Sequence, residues 1–280
     1  MLSSNADYYA LLSRNVRKKI LELIFRTKSP HLGSSFSIVE ILVALYFKVL
    51  NIKPEDPFYS DRDRFILSKG HGCPALYSIL EERGFISEKE ILGFAINNGV
   101  FEQHPNIDIK RGIEATTGSL GHGLSIGVGM ALAAMKDSKA YKVYVLLSDG
   151  ELNEGSVWEA AMFAAHYGLG NLVAVVDNNG LQIDGPITEV CSPEPITDKF
   201  AAFGWHVITM DAHDFDSIDA AFEEASKVTD KPVAIIQKST KGKGVSFMEN
   251  QVGWHGTAPN KEQYDQAMSE LSAQLKELED

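Results

Sequence analysis

Apolar residues recur at helical spacing in the first fifty residues of the chain. Leu11–Phe25 places them three or four positions apart on one stripe, and Ile38–Val49 repeats the pattern. The same spacing returns later in the chain in Leu120–Lys136, Val157–Tyr167, Phe215–Val228 and Lys261–Leu278. Each of these segments is predicted to form a helix.

Short, continuous apolar runs alternate with the predicted helices. They cover Arg64–Leu67, Lys142–Leu147, Leu172–Val176, His206–Thr209 and Val233–Gln237. Such runs are typical of parallel strands that are buried on both faces. The alternation predicts an α/β fold, a doubly wound and mainly parallel sheet with helices on both faces. Because no linker-like stretch divides the chain, we expect one domain over residues 1–280 with a helical arm from about residue 260.

Composition and charge exclude several classes of protein. The longest apolar stretch, Ile38–Leu50, is interrupted by Glu40 and Lys48 and falls short of the ~20 residues that span a bilayer. With a charged amino terminus and no signal-like core, we expect a cytoplasmic protein without a membrane partner. The net charge of -12 argues against nucleic acid as a partner. Cys73 and Cys191 lack the spacing of a zinc site and suggest no disulfide framework.

Polar side chains follow two of the predicted strands directly. The strand Lys142–Leu147 runs into Ser148-Asp149-Gly150, and the strand Leu172–Val176 into Asp177-Asn178-Asn179-Gly180, about one helix crossover later. Ligands bind at this carboxyl edge of open α/β sheets. Asp149, the Asn179 side-chain oxygen and a backbone carbonyl just beyond it would offer hard oxygen ligands to a cation such as Mg²⁺. Taken singly, the aspartate could instead cap a helix and the asparagines could form a turn.

Together, the two strand ends resemble the thiamine-diphosphate signature, in which a glycine-aspartate-glycine is followed one crossover later by an asparagine pair. Other segments, spread over nearly the whole chain, resemble transketolase in particular: Ser29-Pro30-His31-Leu32-Gly33, Asp63–His71, Gln103-His104-Pro105, Thr116–Gly123 and Gly253–Pro259. The resemblance implies the N-terminal, diphosphate-binding subunit of a two-chain transketolase. Such an enzyme transfers a two-carbon ketol unit from a ketose, or ketose phosphate, to an aldose acceptor.

The resemblance also implies how the chain would hold thiamine diphosphate and its metal. Asp149, Asn179 and the Leu181 carbonyl are implied as ligands of Mg²⁺, or of Ca²⁺ or Mn²⁺. Gly150 would present its N–H to the diphosphate. The residues implied to frame the cofactor rings are Gly118, Leu120 and Ile183.

Four histidines carry the implied catalytic roles. His71 and His255 are implied near the diphosphate and the reacting carbon, and His31 and His104 are implied to face the donor and acceptor sugars. Imidazole suits this task, because ketol transfer moves protons on sugar hydroxyls and a carbonyl near neutral pH. Two carboxylates, Glu154 and Glu159, are implied beside the cofactor at the contact between subunits. The remaining motif-free histidines are interpreted as structural: His166, His206 and His213.

Some positions depart from the family pattern, but none is a proposed metal ligand or catalytic histidine: Ser148, Pro30, Leu32, Lys69, Gly180 and His122. Pro30 and Lys69 lie beside histidines expected to touch the sugar or the cofactor, so the identity of the sugar stays open.

The second domain of the family, which binds the pyrimidine ring and supplies the activating glutamate, has no counterpart after Pro259, where one helical stretch remains. We therefore expect a partner, the C-terminal transketolase subunit, in an α2β2 assembly. One alternative is half of another thiamine-diphosphate enzyme, similar to deoxyxylulose-phosphate synthase or to the E1 component of a 2-oxo-acid dehydrogenase. Another is a non-catalytic binding protein that retains the fold, although the intact Asp149, Asn179 and histidine set argue against it.

Overall fold

One parallel sheet forms the centre of the molecule. The structure, a computed structural model, describes residues 5–279, with side chains described for residues 7–274. Residues 1–4 and 280 of the predicted domain lie outside the described residues. The strands follow the spatial order β1-β2-β3-β5-β4. Their bounds are Arg64–Leu67 (β1), Val143–Ser148 (β2), Leu172–Asn178 (β3), His206–Asp211 (β4) and Val233–Lys238 (β5). All the predicted strands are confirmed, with ends that differ by one or two residues at most.

The helices of the described residues precede β1, occupy the intervals between the strands and follow β5. They are Asn5–Thr27 (α1), Leu32–Phe36 (α2), Val39–Ala44 (α3), Cys73–Arg83 (α4), Glu88–Ile91 (α5), His122–Lys136 (α6), Gly155–His166 (α7), Ile187–Val190 (α8), Ile196–Ala202 (α9), Phe215–Lys227 (α10) and Lys261–Glu279 (α11). The helix predicted over Ile38–Val49 is divided, since α3 continues as a π-helical turn over Leu45–Val49. The carboxyl-terminal helix α11 packs on α1, where the rings of Tyr264 and Phe25 stack with centroids 4.2 Å apart.

Two hydrophobic cores lie on opposite faces of the sheet. On β2, Tyr144 and Leu146 belong to the core formed with α1, α3, α4 and α10. The alternate residues Val143, Val145 and Leu147 belong to the core formed with α6, α7 and α9. Because successive side chains of a strand point to opposite faces, both faces of β2 are buried. The predicted doubly wound α/β fold is confirmed.

The strand register brings the chemically distinctive loops to one edge of the sheet. Ser148 of β2 pairs with Asp177 of β3, and Asn178 of β3 pairs with Lys238 of β5. The loops that begin at Asp149 and Asn179 therefore leave neighbouring strands at the same level, as predicted from their separation in the sequence. Within residues 5–279, no helix combines the length and the apolar character needed to cross a bilayer.

Candidate active site

Loops at the carboxyl edge of the sheet enclose a cavity of about 260 Å³. Its lining includes every predicted metal ligand and all four predicted catalytic histidines. The residues predicted to frame the cofactor rings, Gly118, Leu120 and Ile183, also line it, and so does Gly150, predicted to face the diphosphate. Two larger cavities, of about 910 and 830 Å³, are lined by no histidine among the described residues. The chemistry of the lining, rather than its volume, therefore singles out the smaller cavity.

Asp149 is a buried carboxylate held by backbone amides, with 1% of its surface exposed. Its two oxygens accept the N–H of Gly150 at 2.8 Å and the N–H of Gly180 at 2.6 Å. Burial raises the pKa of Asp149 to about 6, and the charge of Asp177 adds to the effect. A bound cation would offset both, because an opposite charge within a few ångströms favours the ionised form.

Asn179 lies beside Asp149 in the turn after β3. Its Oδ1 accepts the Leu181 N–H at 3.2 Å, and its Nδ2 donates to Asp177 Oδ2 at 3.1 Å. The amide is thereby oriented with its oxygen towards the Leu181 side of the turn. Among the described residues, no group of three or more His, Cys, Asp or Glu side chains is arranged for a metal ion. The predicted ligand set contains a single carboxylate beside an amide and a backbone carbonyl, and it stays a prediction.

Behind the cavity, Lys69 and Asp177 form a fully buried ion pair with Nζ and Oδ2 2.6 Å apart. Lys69 also donates to the Ser34 carbonyl at 3.1 Å. Burial alone would raise the pKa of Asp177, but Lys69 and the hydroxyls of Ser239 and Ser37 hold it at about 2. Asp177 is thus a permanent anion that anchors the Lys69 ammonium next to Asp149 and the proposed metal ligands.

The four histidines form one cluster with His31 at its centre. The centroid of the His31 ring lies 5.2 Å from that of His71, 5.4 Å from that of His255 and 6.1 Å from that of His104. These four residues are spread along most of the chain, from His31 to His255, yet the fold brings them together. His104 is exposed at the mouth of the cavity, whereas the other three are partly buried.

The backbone of His31 is held in an unusual conformation. Its φ of 76° lies in the left-handed region, which residues other than glycine seldom adopt. Its N–H donates to the His255 carbonyl at 2.8 Å, and its own carbonyl accepts from the N–H of Ser35 at 3.1 Å. These bonds tie the loop before α2 to the segment that carries His255, and they fix two of the clustered imidazoles relative to each other.

The buried imidazoles are held in the neutral form. Burial, with a smaller contribution from neighbouring histidines and from Lys241 and Lys69, lowers the pKa of His31 to about 4 and that of His255 to about 3. Burial and the same lysines lower the pKa of His71 as well. At neutral pH these rings can each accept one hydrogen bond and donate another. Such groups can hold or pass protons at a bound sugar.

Lys241 is the second buried cation of the cavity, with 1% of its surface exposed. Its Nζ lies 3.0 Å from His255 Nδ1, and no carboxylate of the described residues lies within ion-pair distance of it. Burial and the charge of Lys69 lower the pKa of Lys241 to about 8. Two buried ammoniums beside one metal-type carboxylate make the cavity suited to an anion, although the whole chain carries a net charge of -12.

Glu151 braces the turn that carries Asp149 and Gly150. This fully buried carboxylate accepts the Gly121 N–H at 2.8 Å and the Ser148 N–H at 3.2 Å, and it also accepts from the Ser68 hydroxyl. It therefore joins the loop after β1, the start of α6 and the Asp149 turn. Its role in the structure is to position loops, since it is absent from the lining of the cavity.

The two predicted carboxylates at the subunit contact lie outside the cavity. Both are exposed: Glu154 directly precedes α7, and Glu159 lies on it. Large apolar side chains on α7 and directly after it are also exposed: Met162 at 57%, Phe163 at 41% and Tyr167 at 43%. The assignment of these carboxylates to a cofactor at a subunit contact stays a prediction.

Lys241 was absent from the sequence-based prediction, and Lys69 entered it only as a departure from the family pattern. Both positions carry a signal in the sequence, because each lysine directly precedes a glycine just beyond a buried strand. Lysine is seldom fully buried without a functional partner. The sequence alone could not show that these two side chains turn inward.

The residues present fit a metal-bound diphosphate. Asp149 supplies a buried carboxylate without a cation, and Lys69 and Lys241 supply positive charge for phosphate oxygens. A Cβ at Gly150 would lie 3.1 Å from the Gln182 side chain, so glycine lets Gln182, another residue of the cavity lining, pack closely against the turn. Ile183 is 66% exposed at the rim, where an apolar ring could cover it.

Comparison with known proteins gives the family. Residues 10–277 match the family model described as transketolase, thiamine diphosphate binding domain. The chain belongs to the transketolase family. It is 44% identical over 269 residues to an apulose-4-phosphate transketolase subunit of Phocaeicola vulgatus, a match that covers 96% of this chain and 95% of that one. It is 42% identical to the 6-deoxy-6-sulfo-D-fructose transketolase subunit SqwG of a Clostridium species, over 91% of this chain and 93% of that one.

Solved transketolases share the fold. The transketolase of Campylobacter jejuni superposes with a TM-score of 0.88 at 28% identity, over 97% of this chain but 45% of that one. Human transketolase is 39% identical over 88% of this chain and 39% of its own length. This transketolase-family chain therefore corresponds to less than half of each of these two transketolases and to nearly the whole of the two bacterial subunits.

Proposed function

We propose that this chain is the diphosphate- and metal-binding subunit of a two-chain transketolase. The observation that carries the proposal is the cavity at the carboxyl edge of the sheet. It gathers the predicted ligands Asp149, Asn179 and Leu181 with four histidines and two buried lysines. None of the other described cavities combines these groups.

In this proposal, Asp149, Asn179 and the Leu181 carbonyl hold a divalent cation, Mg²⁺ by preference, which leaves positions for diphosphate oxygens and water. The ammoniums of Lys69 and Lys241 complete the anion site. The Gly150 N–H donates to Asp149 Oδ1 at 2.8 Å and would reach the diphosphate only by exchanging that bond. The cation would neutralise the Asp149 carboxylate, and the lysines would neutralise the phosphates, so that each buried charge gains a partner.

Bound thiamine diphosphate would supply the electron sink that lets a carbon–carbon bond next to a ketone break and form. The protein residues would then orient the sugar and move protons. Neutral His71 and His255, whose ring centroids lie 5.4 Å apart, would serve the reacting carbon, while His31 and exposed His104 would contact the sugar hydroxyls. Imidazoles that stay neutral can accept a hydrogen bond from one sugar hydroxyl and donate another, which orients the sugar.

A partner chain completes the site in this proposal. The cavity opens at a rim where Ile183 and His104 are exposed, and α7 presents exposed apolar side chains next to Glu159. Two of the similar proteins are named as transketolase subunits, which supports a second chain, and so does the correspondence to 45% of a single-chain transketolase. We propose a C-terminal, pyrimidine-binding transketolase subunit in an α2β2 assembly, because closed two-fold assemblies are the common solution for shared sites.

The substrates that we propose are a ketose donor and an aldose acceptor, as sugars or sugar phosphates. The names of the two similar subunits include a sugar phosphate and a sulfonated sugar. Each of these names describes a sugar with an anionic group. Within this chain, the sugar would lie over His31 and His104, and its anionic end would extend towards the open rim and the partner.

Titration calorimetry with thiamine diphosphate tests the proposal. We expect binding by the wild-type chain, mixed with its partner, that requires Mg²⁺ and is lost when the metal is chelated. Absence of any Mg²⁺-dependent binding, with or without the partner, would contradict the proposal and favour a binding protein that only retains the fold.

A further inference from the structure

A line of buried polar contacts connects the first helix to the loop that carries Lys241. Arg17 on α1 donates from its two terminal nitrogens to the two oxygens of Glu40 on α3, both at 2.7 Å. His213, in the loop between β4 and α10, contacts Glu40 Oε2 through Nδ1 at 3.2 Å. Its other ring nitrogen, Nε2, accepts the Thr240 N–H at 2.9 Å. Thr240 directly precedes Lys241 in the sequence.

The contacts fix the tautomer of His213. A backbone N–H can only donate, so Nε2 of His213 carries no proton in this bond. The ring hydrogen is therefore on Nδ1, where it donates to Glu40. Arg17 neutralises Glu40, and both side chains are less than 10% exposed. The hydrogen bonds of this line all point the same way: the Thr240 amide donates to the His213 imidazole, and the imidazole donates to the buried Glu40 carboxylate.

The segment around Lys241 has little freedom of its own. The Thr240 N–H is bound by His213, the Lys241 carbonyl accepts from the Asn250 N–H at 2.9 Å, and the Gly242 N–H donates to the Gly33 carbonyl at 3.1 Å. Gly242 has a φ of +78°, and a Cβ there would lie 2.4 Å from the Met248 carbonyl oxygen. Of these three bonds, the one to His213 is made by a side chain and can be removed by substitution.

We infer that His213 is a positioning residue for the cofactor cavity: by fixing the Thr240 amide it places the Lys241 ammonium where the diphosphate binds. This inference rests on the proposed function. Lys241 in turn lies 3.0 Å from His255, so a shift of the segment would displace two groups of the cavity at once. His213 itself is absent from the cavity lining and acts only through the segment that it holds.

Two substitutions separate the two ends of the imidazole. His213→Asn keeps a donor near the position of Nδ1 and can retain the bond to Glu40, but it leaves the Thr240 amide without its acceptor. His213→Gln places an oxygen near the position of Nε2 and can accept from Thr240, but it gives up the bond to Glu40. The matched control is His206→Gln at the start of β4, because His206 Nε2 contacts Glu224 at 2.7 Å on the surface, away from the cavity.

Three measurements are made on each variant: the Kd for thiamine diphosphate with Mg²⁺ in the presence of the partner, the amide hydrogen exchange of residues 239–242, and the melting temperature. We expect His213→Asn to weaken binding about tenfold, the value of one lost hydrogen bond of about 1.4 kcal/mol, and to speed exchange of the Thr240 amide. We expect His213→Gln to bind within about threefold of the wild type even though it melts at a lower temperature. His206→Gln should match the wild type in both binding and exchange.

A purely structural role for His213 would make affinity follow the melting temperature in both variants, and that result would overturn the inference. Wild-type affinity and slow Thr240 exchange in His213→Asn would overturn it too. If the wild-type chain itself fails to bind thiamine diphosphate, the proposed function fails instead. In that case, unchanged exchange of the Thr240 amide in His213→Asn would overturn the positioning role separately, and faster exchange would support it.

Discussion

At the amino end of the sheet, Asp61 and Lys139 form an ion pair at 2.7 Å in which both side chains are about two-fifths exposed. At the carboxyl end, Lys69 and Lys241 are at most 1% exposed, and they line the same cavity as the buried carboxylate of Asp149 and the turn of Asn179. Ionised groups are costly to bury unless they are paired. The charges of this amino-end pair are matched and solvated. At the carboxyl end the charged groups are buried and only some of them form ion pairs. This arrangement is expected of a site that binds a charged ligand.

Equivalent substitutions at the two ends of the sheet should differ most in their effect on the Kd for thiamine diphosphate. Asp149→Ala should abolish Mg²⁺-dependent binding of thiamine diphosphate, because it removes the only carboxylate among the proposed ligands. Asp61→Asn at the amino end should leave the Kd unchanged. Calorimetry of both variants checks this, with circular dichroism to confirm that each is folded. An Asp149→Ala chain that binds as tightly as the wild type would show that the metal lies elsewhere.

Loss of the buried Arg17–Glu40 pair should lower the free energy of unfolding, whereas loss of the exposed Asp61–Lys139 pair should not. Glu40→Gln leaves the Arg17 guanidinium buried without its counter-charge and should cost about 3 kcal/mol of unfolding free energy. Denaturant unfolding at neutral pH measures this loss. Asp61→Asn should cause no measurable loss. Equal effects of the two substitutions would remove the distinction between buried and exposed charge on which the comparison depends.

The same pair predicts a pH dependence. Burial alone would raise the pKa of Glu40, but the Arg17 guanidinium and the His213 contact hold it well below its ordinary value of 4.5. A carboxylate with a lowered folded-state pKa stabilises the fold above its unfolded pKa, and the contribution is lost as the pH falls. The difference in unfolding free energy between the wild type and Glu40→Gln should therefore be full above about pH 5 and shrink below pH 4.5. A difference that does not vary with pH would contradict this assignment.

Lys241→Met should separate affinity from stability. It removes one ammonium from the proposed diphosphate site, so the Kd for thiamine diphosphate should rise about tenfold, as expected for one lost charge-assisted hydrogen bond. Burial lowers the pKa of Lys241 to about 8 in the folded chain. Wild-type stability should therefore rise between about pH 8 and pH 10, where the unfolded chain alone keeps the proton. Lys241→Met should lose this rise in stability with pH. Lys139→Met should change neither the Kd for thiamine diphosphate nor the rise in stability.

The smallest expected effect on cofactor binding belongs to His104, the exposed member of the histidine cluster. With the partner present, His104→Ala should lower kcat/KM for the donor or acceptor by about tenfold or more, while the Kd of the cofactor barely changes. Steady-state kinetics and calorimetry on the same sample check both numbers. A large change in Kd with unchanged kcat/KM would instead assign His104 to the diphosphate.

The strands and the neighbouring ligand loops were predictable from the sequence, because buried parallel strands are continuous apolar runs and crossover length limits which strand ends can meet. The helix α4 was not predicted. All residues from Cys73 to Leu80 are buried, so no polar face marks a helical period. The position of β5 between β3 and β4 also could not be predicted, since alternation of strands and helices gives a parallel sheet but no strand order.

Within the site, the histidines and Asp149 were predictable because each lies in a motif next to a strand or turn. The inward orientation of Lys241 depends on contacts made by distant residues, among them His213 and Gly33. A single sequence carries no record of such contacts. His213, interpreted from the sequence as a structural histidine, is the clearest case, since the contact that suggests its role is with a backbone amide.

The central claim is that this chain holds half of an active site, and one mixing experiment tests it most directly. The purified chain, the pyrimidine-binding partner chain and their mixture are each assayed for ketol transfer with Mg²⁺ and thiamine diphosphate, while light scattering gives the mass of each sample. We expect turnover in the mixture alone, at the mass of two chains of each kind. Robust ketol transfer by this chain alone, at any concentration, would contradict the claim.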